Sequence, residues 1–260
     1  GSAFTGRQSN IRNWNLKSTT SLKYMFAGSE FDGDISKWNV SKIDDMSEMF
    51  ARSKFTGKHG NISNWDVRNV YHMPFMFFST PFTGDISKWK TDSLGNVYAM
   101  FGRSAFNGDL SGWDMSNAKD MCAMFHHSSF NNDSIRNWDV SKAWRTTLMF
   151  EGTDFDQDIS GWKLKSDCDT HDMFKDCPCR EEYKPEMPAR KKLYAEGLFN
   201  ADEKSLSKEL KRLQPKNKKE LSKLIGQAIK ENGWNADLNF IDTSKITDMS
   251  YLFSNAGTDF

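Results

Sequence analysis

The chain has 260 residues, of which 37% are hydrophobic and 27% are charged, a balance typical of a protein that folds in water. Its 35 basic and 35 acidic side chains cancel, so no net charge attracts the whole molecule to nucleic acid or to an anionic membrane. An apolar run long enough for a transmembrane helix is missing, and so is a signal-peptide pattern at the start. Because Gly1-Ser2 resembles the remnant of an expression tag, we expect a fragment of a longer protein.

Tryptophan recurs along the first two thirds of the chain at intervals of about 24 residues. Each of these tryptophans is followed 12 residues later by a phenylalanine with a methionine before it. The pairs are Trp14 and Phe26, Trp38 and Phe50, Trp65 and Phe77, Trp89 and Phe101, Trp113 and Phe125, Trp138 and Phe150, and Trp162 and Phe174. We therefore predict about seven stacked repeat units over residues 4–176, with these aromatic and methionine side chains buried in ladders.

The second unit shows which structure the repeat predicts. Apolar residues stand at positions 1, 4 and 6 of the segment 35–40, the spacing of a leucine-rich-repeat strand with Trp38 at its centre. Apolar residues in the segment 43–50 are three or four positions apart, which is typical of one face of a short helix. The predicted fold class is α/β: a leucine-rich-repeat-like solenoid of about seven strand-plus-short-helix coils with a parallel sheet.

The run D-I-S-K-W-N-V-S-K-I-D-D-M-S-E-M-F at residues 34–50 resembles the repeat of the BspA-like surface proteins, which also occurs in mycoplasma lipoproteins. The resemblance covers residues 4–176 and returns at 244–253. It implies a bacterial surface or secreted protein that adheres to host proteins or to other cells, and hence an extracellular or cell-surface location. The shared motif is scaffold, so the resemblance supplies no binding residue.

Specificity in such an array comes from positions that differ between units. The polar positions of the predicted strands form a face on which a protein or a glycan could lie. The candidate binding residues on that face are Lys37, Asn39, Asp66, Lys88, Lys90, Asp114, Asp139 and Lys163. On the helical side, Phe75, Trp144 and Leu148 replace polar residues of other units, so we expect them to face outward. Local repacking is the favoured interpretation of these three substitutions, and a contact role is the alternative, for which Trp144 joins the candidate binding residues.

The repeat stops after Phe174. Residues 177–214 carry prolines and alternating charges, and we predict that they form a C-terminal cap and linker. Within residues 215–260, Asn217 and Glu220 have capping-box spacing and begin a predicted helix that Gly233 ends. The repeat spacing then returns, which predicts a capping helix and the first, truncated coil of a second array. The alternative is that the apolar face of this helix binds a partner.

Cysteines cluster at the end of the array. Cys168, His171, Cys177 and Cys179 have the residue types of a zinc site, but C-x2-H-x5-C-x-C is not a standard zinc signature. In the extracellular setting that the resemblance implies, a disulfide from Cys168 to Cys177 or Cys179 is favoured, with free thiols as the alternative. We predict no cofactor and no resident metal.

An enzyme would need a nucleophile with its base, a carboxylate pair or a metal centre. The five histidines have no recurring acidic or serine partner, and four aspartates share one repeat position, which is typical of a turn or cap group. We therefore expect a non-catalytic, adhesin-like module that binds a host or neighbouring-cell protein, without nucleic acid and without membrane insertion. A carbohydrate-binding module is the alternative, followed by a purely structural spacer.

Overall fold

The computed structural model describes residues 5–6 and 10–188 of a chain that divides into two compact units, Gly1–Lys191 and Lys192–Phe260. The predicted capping helix and second array lie outside the described residues. Within those two ranges the helices are three short 3₁₀ helices, Asn10–Asn13, Asp133–Ile135 and Glu181–Tyr183. The same ranges contain no α-helix and no β-strand. The predicted α/β class, with its parallel sheet and short helices, is therefore wrong.

Successive repeat units are stacked coils, and one residue of each coil forms a β-bridge to the next coil. Isolated parallel bridges link a single column of residues: Ser21, Asp45, His72, Asn96, Asp120, Arg145 and Asp169. The pairing does not extend because the backbone turns on both sides of the bridge. Before Asp45, the Ile43 N–H closes a turn on the Val40 carbonyl at 2.9 Å, and after it the Ser47 N–H bonds to the Asp45 side chain at 2.8 Å.

The predicted strand at 35–40 consists of tight turns. The Trp38 N–H donates to the Ile35 carbonyl at 3.1 Å, which brings residues three positions apart together instead of extending the chain. The carboxylate of Asp34 accepts from the Ser36 N–H at 2.9 Å and starts this turn. The apolar spacing is therefore that of a turn whose two ends point into the core.

The predicted helix at 43–50 is replaced by alternating turns and contacts between coils. The Met49 N–H closes a turn on the Met46 carbonyl at 3.2 Å, whereas the Phe50 N–H donates to Met76 of the next coil at 3.0 Å. Each coil places two residues, four positions apart, in the left-handed region of backbone space that most side chains avoid. These residues are Tyr24 and Gly28, Glu48 and Arg52, Phe75 and Ser79, Ala99 and Arg103, Ala123 and His127, Leu148 and Gly152, and Asp172 and Asp176.

Short polar side chains hold the corners of the coils. At one corner an aspartate accepts a hydrogen bond of 2.8–3.0 Å from the N–H two residues later, in Asp34, Asp85, Asp109 and Asp158. The prediction that these aspartates are turn groups is confirmed. Hydrogen bonds from the backbone and hydroxyl of Ser87 lower the pKa of Asp85. At another corner the hydroxyl oxygens of Ser53, Thr80, Ser104, Ser128 and Thr153 accept in the same way.

Aromatic ladders form the core, as predicted. The phenylalanines that follow methionine stack from coil to coil, from Phe26 to Phe174, with ring centroids 5.4–5.8 Å apart. Trp89 is fully buried, and its indole N–H donates to the Ile62 carbonyl of the preceding coil at 2.9 Å. Trp14 is the exception among the repeat tryptophans, because 52% of its surface is exposed.

Candidate functional site

The predicted strand-face residues lie at the outer corners of the coils. All are exposed except Asp66, which is half-buried. Side-chain oxygens of Asn39, Asp66, Asp114 and Asp139 each accept a hydrogen bond from the N–H two residues later. These four residues therefore shape corners, while Lys37, Lys88, Lys90 and Lys163 extend into solvent. A binding role for any of the eight residues stays a prediction.

The three residues expected on the helical side have different surroundings. Trp144 is 47% exposed, so its predicted outward position is confirmed. Phe75 and Leu148 are each only 8% exposed, and the prediction is wrong for them. Their positions lie on turns between coils and not on the outer face of a helix. Phe75, for example, packs edge-on against Tyr98 with ring centroids 4.7 Å apart.

A buried ion pair lies beside Trp144. The Arg145 Nε donates to Asp120 Oδ1 at 3.0 Å, and a second guanidinium nitrogen contacts the other carboxylate oxygen. Both residues are buried, and the Asp120 carboxylate also accepts from the Cys122 N–H at 3.2 Å. A two-point arginine–carboxylate contact fixes the guanidinium plane more firmly than a single bond does. Arg145 is thereby held in one orientation across two neighbouring coils.

This guanidinium joins two aromatic side chains. Its central carbon lies 4.8 Å from the centroid of the Trp144 ring and 5.2 Å from that of Tyr98. Both distances are within the range of a cation–π contact. Through its contact with Phe75, Tyr98 continues the aromatic chain into the third coil. We call the group of Tyr71, Phe75, Tyr98, Trp144 and Arg145 the aromatic face; Tyr71 and Trp144 are its exposed members, Tyr98 is half-buried, and Phe75 and Arg145 are buried beneath them.

Tyr71 forms the other end of the aromatic face and is 37% exposed. Its ring lies over Gly95 of the next coil, where an added Cβ would come within 2.2 Å of the ring. The ring can lie there because glycine leaves the space open. The aromatic face therefore extends over the third to the sixth coil, with exposed aromatic residues at both ends.

Electrostatics keep the centre of the aromatic face charged. Burial is the largest single influence on the pKa of Arg145 and lowers it, but the hydrogen bond to Asp120 and the charges of neighbouring groups, Asp120 among them, together raise that pKa above its usual value. Arg145 is therefore a fixed cation beside the rings of Tyr98 and Trp144, and the carboxylate of Asp120 neutralises its charge. Tryptophan, tyrosine and arginine are the residues that most often dominate binding energy at protein interfaces. The arrangement suits recognition, because the ion pair holds Arg145 against the exposed Trp144 ring.

Sequence reasoning identified Trp144 but missed Tyr71, Tyr98, Asp120 and Arg145. The signal in the sequence was departure from the repeat. Arg145 is a long basic side chain in a column whose other members are Ser21, Asp45, His72, Asn96, Asp120 and Asp169. Its length and positive charge allow it to reach Asp120 in the coil before it.

A family model with the description "Mycoplasma protein of unknown function, DUF285" matches residues 2–105, 79–183 and 195–260. The chain belongs to this family. No curated protein and no solved structure matches it. In this DUF285 chain the described residues contain no helix that is both long and apolar enough to cross a membrane.

The C-terminal cysteines of the DUF285 chain, Cys168, Cys177 and Cys179, are free thiols in the structure. Their sulfur atoms have separate neighbours: that of Cys168 lies 3.8 Å from the Thr146 hydroxyl, and that of Cys177 donates to the Phe155 carbonyl at 3.2 Å. The structure therefore does not form the predicted disulfide from Cys168 to Cys177 or Cys179. Among the described residues, the side chains close enough together to hold a metal ion are those of His126, His127 and Glu151, and none of these cysteines is with them.

Thiol reactivity should separate Cys177 from the other cysteines. Burial raises the pKa of Cys168 to about 11 and that of Cys122 and Cys179 to about 12, and thiolates are the species that react. We expect iodoacetamide at pH 8, with reductant removed just before labelling, to modify half-buried Cys177 first. Mass mapping of labelled peptides checks this order. Equally fast labelling of Cys122 in the folded chain would contradict it.

Proposed function

We propose that this chain is a non-catalytic interaction module of a bacterial surface or secreted protein, and that it binds a protein through its aromatic face. The sequence resemblance to BspA-like surface proteins supports the surface location and the adhesive role. The observation that carries the binding site is the exposed Trp144 ring held against the Arg145 guanidinium. The partner is a host or neighbouring-cell protein.

The aromatic face has the features that favour a protein partner. It contains a tryptophan and an arginine that already contact each other before binding, so little side-chain entropy is lost on contact. Asp120 already neutralises Arg145, so burying this pair under a partner adds no unpaired charge. The face extends over four coils, which suits an extended protein surface. A glycan platform needs an open ring face, and one side of Trp144 is occupied by Arg145.

The test compares two single tryptophan variants of the described unit. Biotinylated surface proteins from cultured host cells are first passed over the immobilised chain, and the protein that binds is identified. The affinity of that purified protein for the chain is then measured. Trp144→Ala should weaken that affinity at least about 30-fold, as expected of a tryptophan that contributes about 2 kcal/mol to an interface. Trp14→Ala is the matched control, because Trp14 is similarly exposed but lies at the other end of the array.

Several outcomes would overturn the proposal. Equal affinity of the wild-type chain and Trp144→Ala would remove the aromatic face from the interaction. Binding to a glycan array, with no protein partner, would favour the carbohydrate-binding alternative. Turnover of an ester or glycoside by the purified chain would argue against a non-catalytic module. Thermal unfolding of both variants verifies that the folded state is retained.

A further inference from the structure

A second group of side chains departs from the repeat on another part of the coils. The residue that follows each Met-Phe pair is alanine in the first two units, but His126, Glu151 and Lys175 in the fifth, sixth and seventh. These three residues share one repeat position, so stacking places them next to each other. His127 directly follows His126 and is exposed, whereas His126 and Glu151 are buried.

The ligand atoms of this group converge. One nitrogen from each of His126 and His127 and one Glu151 oxygen all lie within 4.8 Å of one another. The Nδ1 of His126 is 3.0 Å from Glu151 Oε2, yet neither ring nitrogen of His126 has a hydrogen bond of acceptable geometry. Only 3% of the surface of His126 is exposed, and both of its ring nitrogens lack a hydrogen-bond partner. Burying such groups costs free energy unless a ligand supplies the missing interaction.

The backbone makes room for this convergence. Gly152 follows Glu151 and has a left-handed backbone with φ of +64°. The His127 ring occupies the space beside it, since a Cβ on Gly152 would lie 2.2 Å from His127 Nδ1. A hydrogen bond of 2.8 Å from the His127 N–H to the Glu151 carbonyl holds the two coils in register. Glycine at 152 therefore lets the exposed imidazole fold over the coil that carries the glutamate.

We infer that His126, His127 and Glu151 form a binding site for a divalent transition-metal ion, with zinc as the ion that this ligand set suits best. Two imidazoles and one carboxylate are ligands that zinc accepts, at distances of about 2.0–2.2 Å. Such distances require ligand atoms about 3.3 Å apart in a tetrahedral site, so His127 has to move inward by an ångström or so. Its exposure allows that movement. A fourth position is left for water or for a side chain of a partner.

Nearby cations oppose metal binding at this site. Lys175 competes for the glutamate, with its Nζ 2.9 Å from Glu151 Oε1. Arg103 also opposes positive charge near His126. The site therefore contains a competitor whose removal has a predictable effect on metal affinity.

Calorimetric titration of the reduced chain with Zn²⁺ tests the inference. We expect one Zn²⁺ per chain, and at least about 10-fold weaker binding in both His127→Ala and Glu151→Gln. Lys175→Met should bind Zn²⁺ more tightly than wild type, because the carboxylate loses its competing cation. A purely structural role for the buried network would not produce that gain. His127→Ala removes an exposed ring and Glu151→Gln preserves shape, so both variants should fold, which thermal unfolding verifies.

Controls separate this site from the cysteines further along the chain. His171→Ala removes another exposed histidine beside a carboxylate, 3.1 Å from Asp172, and should leave Zn²⁺ affinity unchanged. X-ray absorption at the zinc edge should show nitrogen and oxygen neighbours at about 2.0 Å and no sulfur at about 2.3 Å. A sulfur shell, loss of affinity in His171→Ala, unchanged affinity in His127→Ala and Glu151→Gln, or absence of Zn²⁺ binding would each overturn the inference.

Discussion

Replacing Trp89 by alanine should lower the free energy of unfolding by about 3–5 kcal/mol, the range for removing a large buried aromatic side chain. Trp89 lies between Trp65 and Trp113, with ring centroids 6.5 and 6.0 Å away, and is fully buried. The variant loses both stacking contacts and leaves the Ile62 carbonyl without the indole donor. Urea unfolding followed by tryptophan fluorescence and circular dichroism measures the change.

Position within the stack provides the control for this prediction. Trp14 occupies the same repeat position but, among the residues that the structure describes, stacks on a single tryptophan, Trp38 at 6.2 Å, and is half exposed. Trp14→Ala should therefore cost well under half of what Trp89→Ala costs. Equal losses in the two variants would mean that the ladders do not carry the stability of the stack, and would contradict the proposed role of the core.

The buried ladders were predictable because their signal is periodic. A tryptophan followed 12 residues later by phenylalanine, unit after unit, requires the same environment at each repeat position, and stacking meets that requirement. The fully buried Phe50, Phe77 and Phe101 confirm it. The same logic made Asp34 and Asp85 turn groups, because an aspartate that recurs at one repeat position in four of the seven units performs a structural task.

Secondary structure was not predictable from apolar spacing alone. Ile35 and Trp38 fit a leucine-rich-repeat strand, yet the same three-residue interval fits a turn closed by their own backbone groups. Likewise, the N–H of Phe50 finds its acceptor in the next coil and not four residues back, a partner that local spacing cannot reveal. The available clue was the aspartate or asparagine placed two residues before serine, which favours side-chain turns over extended chain.

The candidate sites depend on departures from the repeat, which sequence reasoning located only in part. Trp144 was identified as an outward aromatic residue, but its ion-paired neighbour was missed because Asp120 is 25 residues away. Glu151 is equally distant from His126, and the two meet only because both follow a Met-Phe pair. Aligning the units column by column would have shown both pairs. Such an alignment does not show whether two residues in the same column are in contact, because that depends on the geometry of the coils.

Removing Asp120 should be about as destabilising as removing a core tryptophan. Asp120→Ala leaves the buried guanidinium of Arg145 without its carboxylate, and breaking a buried ion pair from one side costs about 3–5 kcal/mol. The same variant should weaken binding at the aromatic face, because the ion pair fixes Arg145 between Tyr98 and Trp144. Urea unfolding measures the first effect, and affinity for the identified partner measures the second.

Two further variants separate the ion pair from the turn that Asp120 also supports. Asp114 accepts a comparable hydrogen bond from the Ser116 N–H at 2.9 Å but is exposed, so Asp114→Ala should cost only about 1 kcal/mol. Combining Asp120→Ala with Arg145→Met removes the unpaired charge and should restore most of the lost stability without restoring partner binding. If the double variant were as unstable as Asp120→Ala, the loss would come from the turn, and the ion pair would contribute little.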